Sequence, residues 1–173
     1  MVYVGEHTYS GGISVRFPGN QNLHIGKFCS LGLDLIVYLS GNHNSSNIST
    51  YPFLQKWGSD VPTVEYSKGD IIIGNDVWIG SNVSIVSGVK IGDGAIIGAH
   101  SVVARDVKPY TINAGNPCRF KKLRFNTRII EDLLNLRWWN WPDDKIQHAV
   151  PLLSSNNIPA LIQFNQHWEE NHA

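Results

Sequence analysis

Large aliphatic residues recur at every sixth position through the middle of the chain. From residue 73 the sequence divides into six consecutive units whose first positions are Ile73, Ile79, Ile85, Ile91, Ile97 and Val103. The fifth positions are small or β-branched, namely Val77, Val83, Val89, Ala95, Ser101 and Val107. An α-helix needs apolar residues three and four apart and a single strand needs strict alternation, so neither produces this period. The period predicts short strands separated by sharp corners, with the first position filling the interior.

Repeats of this kind stack into coils that share one apolar interior. If three strands close a triangular coil, residues 73–108 make two full coils, and the same phase in residues 25–42 makes about one more. Glycine recurs at the second position of most units, where we expect it to tolerate the backbone angles of a corner. Degenerate units precede residue 25. The chain is therefore predicted to be mainly β, a parallel β-helix over residues 1–117.

Two stretches depart from the period. Between Gly41 and Ser67 the repeat is lost among Pro, Asn and Ser residues, which predicts an excursion loop at about 42–67. A long excursion from a rigid scaffold commonly carries function. After residue 117 the apolar spacing becomes helical over 127–136, and Pro142 and Pro159 favour two further helix starts. We expect residues 118–173 to form a short helical tail that packs on the β-helix and covers its open end.

Composition narrows the classes of partner. The 173 residues carry 14 basic and 14 acidic side chains, and this neutral balance does not favour a nucleic-acid or membrane partner. The two cysteines, Cys29 and Cys118, are too few for a disulfide framework, and Cys29 falls at a buried repeat position. Neither a signal peptide nor an apolar run of about 20 residues is visible, so a cytoplasmic location is predicted. One run of cations contains no acid: Arg119, Lys121, Lys122, Arg124 and Arg128.

Five segments in order resemble a known family. They are IGKFCSLG (25–32), GNHNSSNISTYPF (41–53), GDIIIGNDVWIGSNVSI (69–85), PYTINAGNPCRFKKLRF (109–125) and WWNWP (138–142). The chain is similar to the hexapeptide-repeat xenobiotic acetyltransferases, which acetylate chloramphenicol and streptogramins, and to related sugar acetyltransferases. The resemblance implies a left-handed β-helix, acetyl-CoA as the acetyl donor with no metal, and a homotrimer with its sites between subunits.

His43, within the Gly-Asn-His segment, is the predicted catalytic base. Acetyl transfer requires a hydroxyl or amine to lose its proton while it attacks a thioester, and an imidazole exchanges protons near neutral pH. In the resembled family the histidine of this motif has that role. The alternative interpretation is a surface histidine in a polar loop.

The resemblance also assigns residues that meet the two substrates. The backbone N–H of Ser81, within the WIGS segment, is expected near the thioester as an oxyanion donor. The pantetheine groove is expected at Ala99, Ala104 and Arg105, and the phosphates of coenzyme A at Arg119 and Lys122. Position 104 is Ala where the relatives often carry Thr, so a hydroxyl contact is lost there. On the acceptor side we expect Asn42 and Trp78, although packing between subunits is the favoured alternative role for an outward aromatic such as Trp78.

Two other functions use the same fold. A γ-type carbonic anhydrase needs three histidines around zinc, and the repeat region offers His24, His43 and His100 without the paired spacing such a site requires. A non-catalytic binding or scaffold trimer is the second alternative. The acceptor stays open between a sugar or nucleotide sugar and an antibiotic, because the segment after His43 reads Asn-Ser-Ser-Asn-Ile where the chloramphenicol enzymes differ. The sequence does not choose between O- and N-acetylation.

Overall fold

The computed structural model describes residues 1–58 and 66–172, which divide into two compact units, Met1–Arg124 and Phe125–Ala173. The first unit holds twelve strands and one short helix among its described residues. They are β1 (Val2–Val4), β2 (Tyr9–Arg16), β3 (Leu23–Ile25), β4 (Ser30–Tyr38), α1 (Phe53–Trp57), β5 (Ile71–Ile73), β6 (Trp78–Ile79), β7 (Ser84–Ile85), β8 (Lys90–Ile91), β9 (Ile96–Ile97), β10 (Val102–Val103), β11 (Thr111–Ala114) and β12 (Arg119–Leu123).

The strands of the first unit stack as three faces of a coil. The first face is β1, β3, β5 and β8. The second face joins the start of β4 to β6, β9 and β11, and the third joins the end of β4 to β7 and β10. All these pairs are parallel. Between β5 and β10, partners in successive coils lie eighteen residues apart, as in Ile73 with Ile91 and Ile79 with Ile97. Three hexapeptides therefore make one turn, as the period predicts.

The core consists of the repeat's first and fifth positions. Every first-position residue from Ile73 to Val103 is at most 2% exposed, and every fifth-position residue from Val77 to Val107 is at most 8% exposed. Cys29 is also fully buried, and its thiol donates to the Gly74 carbonyl oxygen at 3.1 Å. Trp78 is 57% exposed. The predicted burial of the first and fifth repeat positions and of Cys29, and the predicted outward position of Trp78, are confirmed.

The expected reason for the repeat's glycines is wrong. At Gly80 an added Cβ would lie 2.6 Å from the Ala99 nitrogen of the next coil, and this glycine does not have a positive φ. Close stacking of coils, rather than the corner angle, therefore requires glycine at the second position. The left-handed corner lies at the fourth position instead, where φ is +54° at Asp76, +57° at Asn82 and +58° at His100. Asn and Asp tolerate this region better than most residues.

The excursion leaves the coil after β4 and contains α1, a helix that the sequence pattern does not predict. It returns at Tyr66, which forms an antiparallel bridge with Asn42. Part of the predicted loop, residues 59–65, lies outside the described residues. We call residues 39–42 and 66–69 the neck of the excursion, because its outgoing and returning segments meet there.

The helical part of the tail begins later than predicted. Arg119–Leu123 forms β12, which pairs antiparallel with β11, so these residues extend the second face of the coil. Helices in the second unit are α2 (Thr127–Leu136), α3 (Asp143–Leu153) and α4 (Ile158–His172), with a 3₁₀ turn at Trp138–Asn140. Asn126 caps α2, as its Oδ1 accepts from the Ile129 N–H at 3.0 Å. Among the described helices, none is both long and apolar enough to cross a bilayer.

Candidate active site

His43 lies in the excursion, one residue beyond the neck, with its side chain exposed. Its Nδ1 atom is 2.5 Å from the Thr50 carbonyl oxygen. A carbonyl oxygen can only accept, so Nδ1 carries the proton of the neutral ring and Nε2 keeps its lone pair. The preceding turn requires glycine, because Gly41 has φ +83° and an added Cβ would lie 2.6 Å from the Phe17 ring. This arrangement presents an imidazole nitrogen that can accept a proton.

Asn42 joins His43 to the coil. Its backbone N–H donates to the Tyr66 carbonyl oxygen at 3.2 Å, and its Nδ2 donates to the same oxygen at 3.1 Å and to Ser87 Oγ at 2.9 Å. The sequence analysis does not single out Tyr66, Ser87 or Thr50. Thr50 lies in a segment that resembles the family, but Ser87 occupies a third repeat position that carries no distinguishing signal.

A second group of predicted residues lies at the corner between the second and third faces. Ser81 follows β6, and its Oγ accepts from the Leu33 N–H at 3.1 Å. Its carbonyl oxygen accepts from His100 N–H at 2.9 Å, so Ala99 lies on the adjacent coil of the same corner. Gly80 stacks directly on Ala99 here, which leaves the corner closely packed along its backbone.

The two cations predicted to meet phosphates share the outer side of the second face. Arg119 lies opposite Ala114 and Lys122 opposite Ile112, with a bulge in the register between these pairs. In a regular strand, residues three apart project to opposite sides. The bulge adds one residue, so both cations project with Ile112 and Ala114, away from the buried Thr111 and Asn113. Trp78 is on the same side, because it pairs with Ile96 of β9, which pairs in turn with Ile112 of β11.

A single chain keeps the predicted base apart from the predicted oxyanion donor. Asn42 bonds to Ser87, so His43 lies at the corner between the third and first faces, where Ala104 and Arg105 also follow β10. Ser81 lies at the other end of the third face. Six residue steps separate Ser81 from Ser87, at most about 20 Å of extended chain. Within one chain, therefore, the predicted residues form two half-sites.

The ionisable groups near these corners do not suggest other chemistry. Burial raises the pKa of the Cys118 thiol, which disfavours a thiolate nucleophile. His24 lies on the first face, 3.4 Å from the Asp70 carboxylate and stacked on Tyr3. Within residues 1–58 and 66–172, no group of three or more His, Cys, Asp or Glu side chains is arranged to hold a metal ion.

Comparison with known proteins agrees with this architecture. A family model described as bacterial transferase hexapeptide (six repeats) matches residues 70–105. A chloramphenicol acetyltransferase of Agrobacterium fabrum is 42% identical, over 94% of this chain and 81% of its own length. A probable macrolide acetyltransferase of Lysinibacillus sphaericus is 48% identical, over 87% of this chain and 83% of its own. The solved maltose O-acetyltransferase from Clostridium difficile 630 is 32% identical with a TM-score of 0.57, over 72% of this chain and 60% of its own.

Stacked coils of eighteen residues with this repeat define a hexapeptide-repeat transferase. The sequence identity to curated relatives, over most of both chains, shows that the chain belongs to the hexapeptide-repeat xenobiotic acetyltransferases. Membership makes the protein an acyltransferase, and the fold of its relatives implies that the β-helix is left-handed.

Proposed function

We propose that the protein transfers the acetyl group of acetyl-CoA to a hydroxyl or amine of a small acceptor, with His43 as general base. The observation that carries this proposal is the bond from His43 Nδ1 to the Thr50 carbonyl oxygen. That bond leaves Nε2 as the proton acceptor and fixes the plane of the ring. General-base catalysis of this kind contributes about 10²–10⁴-fold in rate.

The chemistry is a proton-coupled acyl transfer. The acceptor's oxygen or nitrogen forms a bond to the thioester carbonyl carbon while its proton passes to His43 Nε2. The carbon–sulfur bond then breaks, and the proton returns from Nε2 to the sulfur, so coenzyme A leaves as the thiol and the imidazole is neutral again. The carbonyl oxygen becomes negative in between, and the backbone N–H of Ser81 is the proposed donor to it.

The donor half-site is proposed from the family and from the second face. Ala99, at the Ser81 corner of one subunit, and Ala104 and Arg105, at the His43 corner of its neighbour, would together line the pantetheine groove. Arg119 and Lys122 would bind the phosphates of coenzyme A. The bulge in β12 supports this assignment, because it directs both cations to one side of the sheet. Their exposure leaves both side chains accessible to a ligand.

A homotrimer would complete the site. His43 and Ser81 lie at opposite ends of the third face, so one chain cannot apply both to the same thioester. We propose that the His43 corner of one subunit meets the Ser81 corner of its neighbour. Asn42 and Trp78 would then lie on the acceptor side, or Trp78 would pack between subunits. Catalysis is expected in the cytoplasm.

The acceptor is proposed to be an antibiotic, because the curated relatives are named for chloramphenicol and macrolide acetylation. A sugar acceptor is the second candidate, supported by the solved maltose O-acetyltransferase. Between the two segments of the neck, the described residues of the excursion carry Lys56 as their one Asp, Glu, Lys or Arg side chain, and they expose the neighbouring rings of Tyr51, Phe53 and Trp57. This combination of aromatic rings and few charges suits an uncharged acceptor. A panel of chloramphenicol, a macrolide and maltose, assayed by release of the coenzyme A thiol, distinguishes these classes.

The base is tested by His43→Ala. We expect kcat to fall by about 10²–10⁴-fold while the KM for acetyl-CoA stays within about twofold, because the imidazole acts on the acceptor's proton. His148→Ala is a matched control, since His148 Nδ1 also lies 2.8 Å from a backbone carbonyl oxygen, that of Asp144, but in the tail. A His43→Ala enzyme that retains more than half of kcat, with chemistry limiting the rate, would remove His43 from the mechanism.

A further inference from the structure

The neck of the excursion is anchored to the coil at one buried hydroxyl. Ser87 is 3% exposed and lies just beyond β7, at the end of the third face. Its Oγ accepts from Asn42 Nδ2 at 2.9 Å and from the Lys68 N–H at 3.3 Å. Asn42 belongs to the outgoing segment of the neck and Lys68 to the returning segment. A single side chain of the repeat therefore contacts both segments.

Other hydrogen bonds seat the returning segment closely against the coil. Ser67 Oγ donates to the Leu39 carbonyl oxygen at 2.6 Å, and the Gly88 N–H donates to the Gly69 carbonyl oxygen at 3.0 Å. A Cβ at Gly88 would lie 2.6 Å from the Lys68 carbonyl oxygen. The neck thus has little freedom to slide, and its position relative to Ser87 is well defined.

The proposed base is connected to Ser87 through its neighbour in the chain, Asn42. The His43 ring is bonded to Thr50, which belongs to the same excursion, so that bond fixes the ring within the loop but not against the coil. The adjacent residue, Asn42, supplies the connection to the coil through Ser87. We propose that Ser87 is a positioning residue, which holds the loop so that His43 Nε2 meets the acceptor's proton. This inference rests on the proposed role of His43 as the base.

The same geometry limits what Asn42 can do for the acceptor. Both hydrogens of its amide are used at the neck, one toward Tyr66 and one toward Ser87. Only Oδ1 could then accept from a bound molecule. A substrate contact would appear mainly in the KM for the acceptor, whereas a positioning role appears in kcat.

The test is Ser87→Ala, which deletes the acceptor oxygen from the coil side. A displacement of about 1 Å at a reacting group can cost up to ~10²-fold, so we expect kcat to fall about tenfold or more with the KM for acetyl-CoA within about twofold. Ser84→Ala is the matched control, because Ser84 lies three residues earlier, on β7, where it pairs with Ile36 and Val102 of the third face. Asn42→Ala removes the same bond from an exposed position, together with the bond to Tyr66, and should lower kcat at least as much, even if the buried variant folds poorly.

A double variant separates positioning from general damage. If Ser87 acts through His43, adding Ser87→Ala to His43→Ala should leave the residual rate unchanged, because no base remains to be positioned. A further loss equal to that of Ser87→Ala alone would overturn the proposal, and so would a stable Ser87→Ala enzyme with kcat within twofold of wild type. Full activity of His43→Ala would instead defeat the proposed base itself.

Discussion

The bulge in β12 places two cations where they are proposed to bind the phosphates of coenzyme A, and this assignment can be tested. Without the extra residue, Arg119 and Lys122 would project to opposite sides of the strand; with it, both project from the outer side of the second face. The perturbation is the double substitution Arg119→Ala and Lys122→Ala. It removes two positive charges from one side of the sheet and leaves the buried partners of β11 untouched.

The size of the effect follows from the exposure of the two side chains. A hydrogen bond to a charged group contributes about 1.5–3 kcal/mol, and exposed ion pairs about 0.2–1 kcal/mol. Both cations are exposed, so about 1 kcal/mol for each is reasonable. Together they correspond to a KM for acetyl-CoA that rises about 30-fold, since 1.4 kcal/mol is tenfold. Because these groups bind donor and transition state alike, kcat should change by less than about threefold.

Initial rates at varied acetyl-CoA concentration, measured by release of the coenzyme A thiol, give both constants. The effect should shrink in about 0.5 M salt, where exposed charges are screened. Lys90→Ala is the control, because Lys90 carries an exposed cation on the outer side of the first face. An unchanged KM for acetyl-CoA in the double variant, or an equal rise in Lys90→Ala, would refute the assignment of these two cations to the phosphates.

Two further predictions follow from assembly and from the ionised groups of the first unit. Light scattering of the active protein should give a mass of three times 19.3 kDa, and a fully active monomer at assay concentration would contradict a site shared between subunits. Arg124→Leu should lower the melting temperature more at pH 7 than at pH 4. Burial already raises the pKa of Asp76, and loss of the Arg124 partner 3.3 Å away should raise it further. The variant should therefore keep most of its stability at low pH, where the Asp76 carboxyl is protonated, and lose it as pH rises and the carboxyl ionises. Equal losses at the two pH values would refute this coupling.

The stacked coils were predictable because one physical constraint recurs. Each coil must place a large aliphatic residue inside at three positions, so Ile73, Ile79 and Ile85 repeat the same requirement and the period becomes visible. The helical start near Thr127 was readable for a similar reason, since its apolar residues recur at helical spacing. A structural constraint that acts on a single residue pair or a single strand leaves no repeated pattern in the sequence.

The neck and β12 illustrate constraints that occur once. Ser87 contacts Asn42 across 45 residues of sequence by a single hydrogen bond, which leaves no periodic trace. The strand Arg119–Leu123 is exposed along its whole length, so it lacks the apolar alternation that marks a half-buried strand. The second-position glycines were readable as a pattern, but their cause is contact between coils, which one coil's sequence does not reveal.

The eighteen-residue coil also determines where this chain can change length during evolution. Between β5 and β10 a one-residue insertion within a strand would shift the later aliphatic side chains of that strand from the interior toward solvent, so insertions and deletions of whole coils are tolerated best there. The neck escapes this rule, because Asn42, Tyr66 and Ser87 close the excursion at its base whatever its length. Lengthening a loop costs little free energy. Residues beyond the neck, where the proposed acceptor site lies, can therefore be gained or lost while the scaffold and the neck keep their positions.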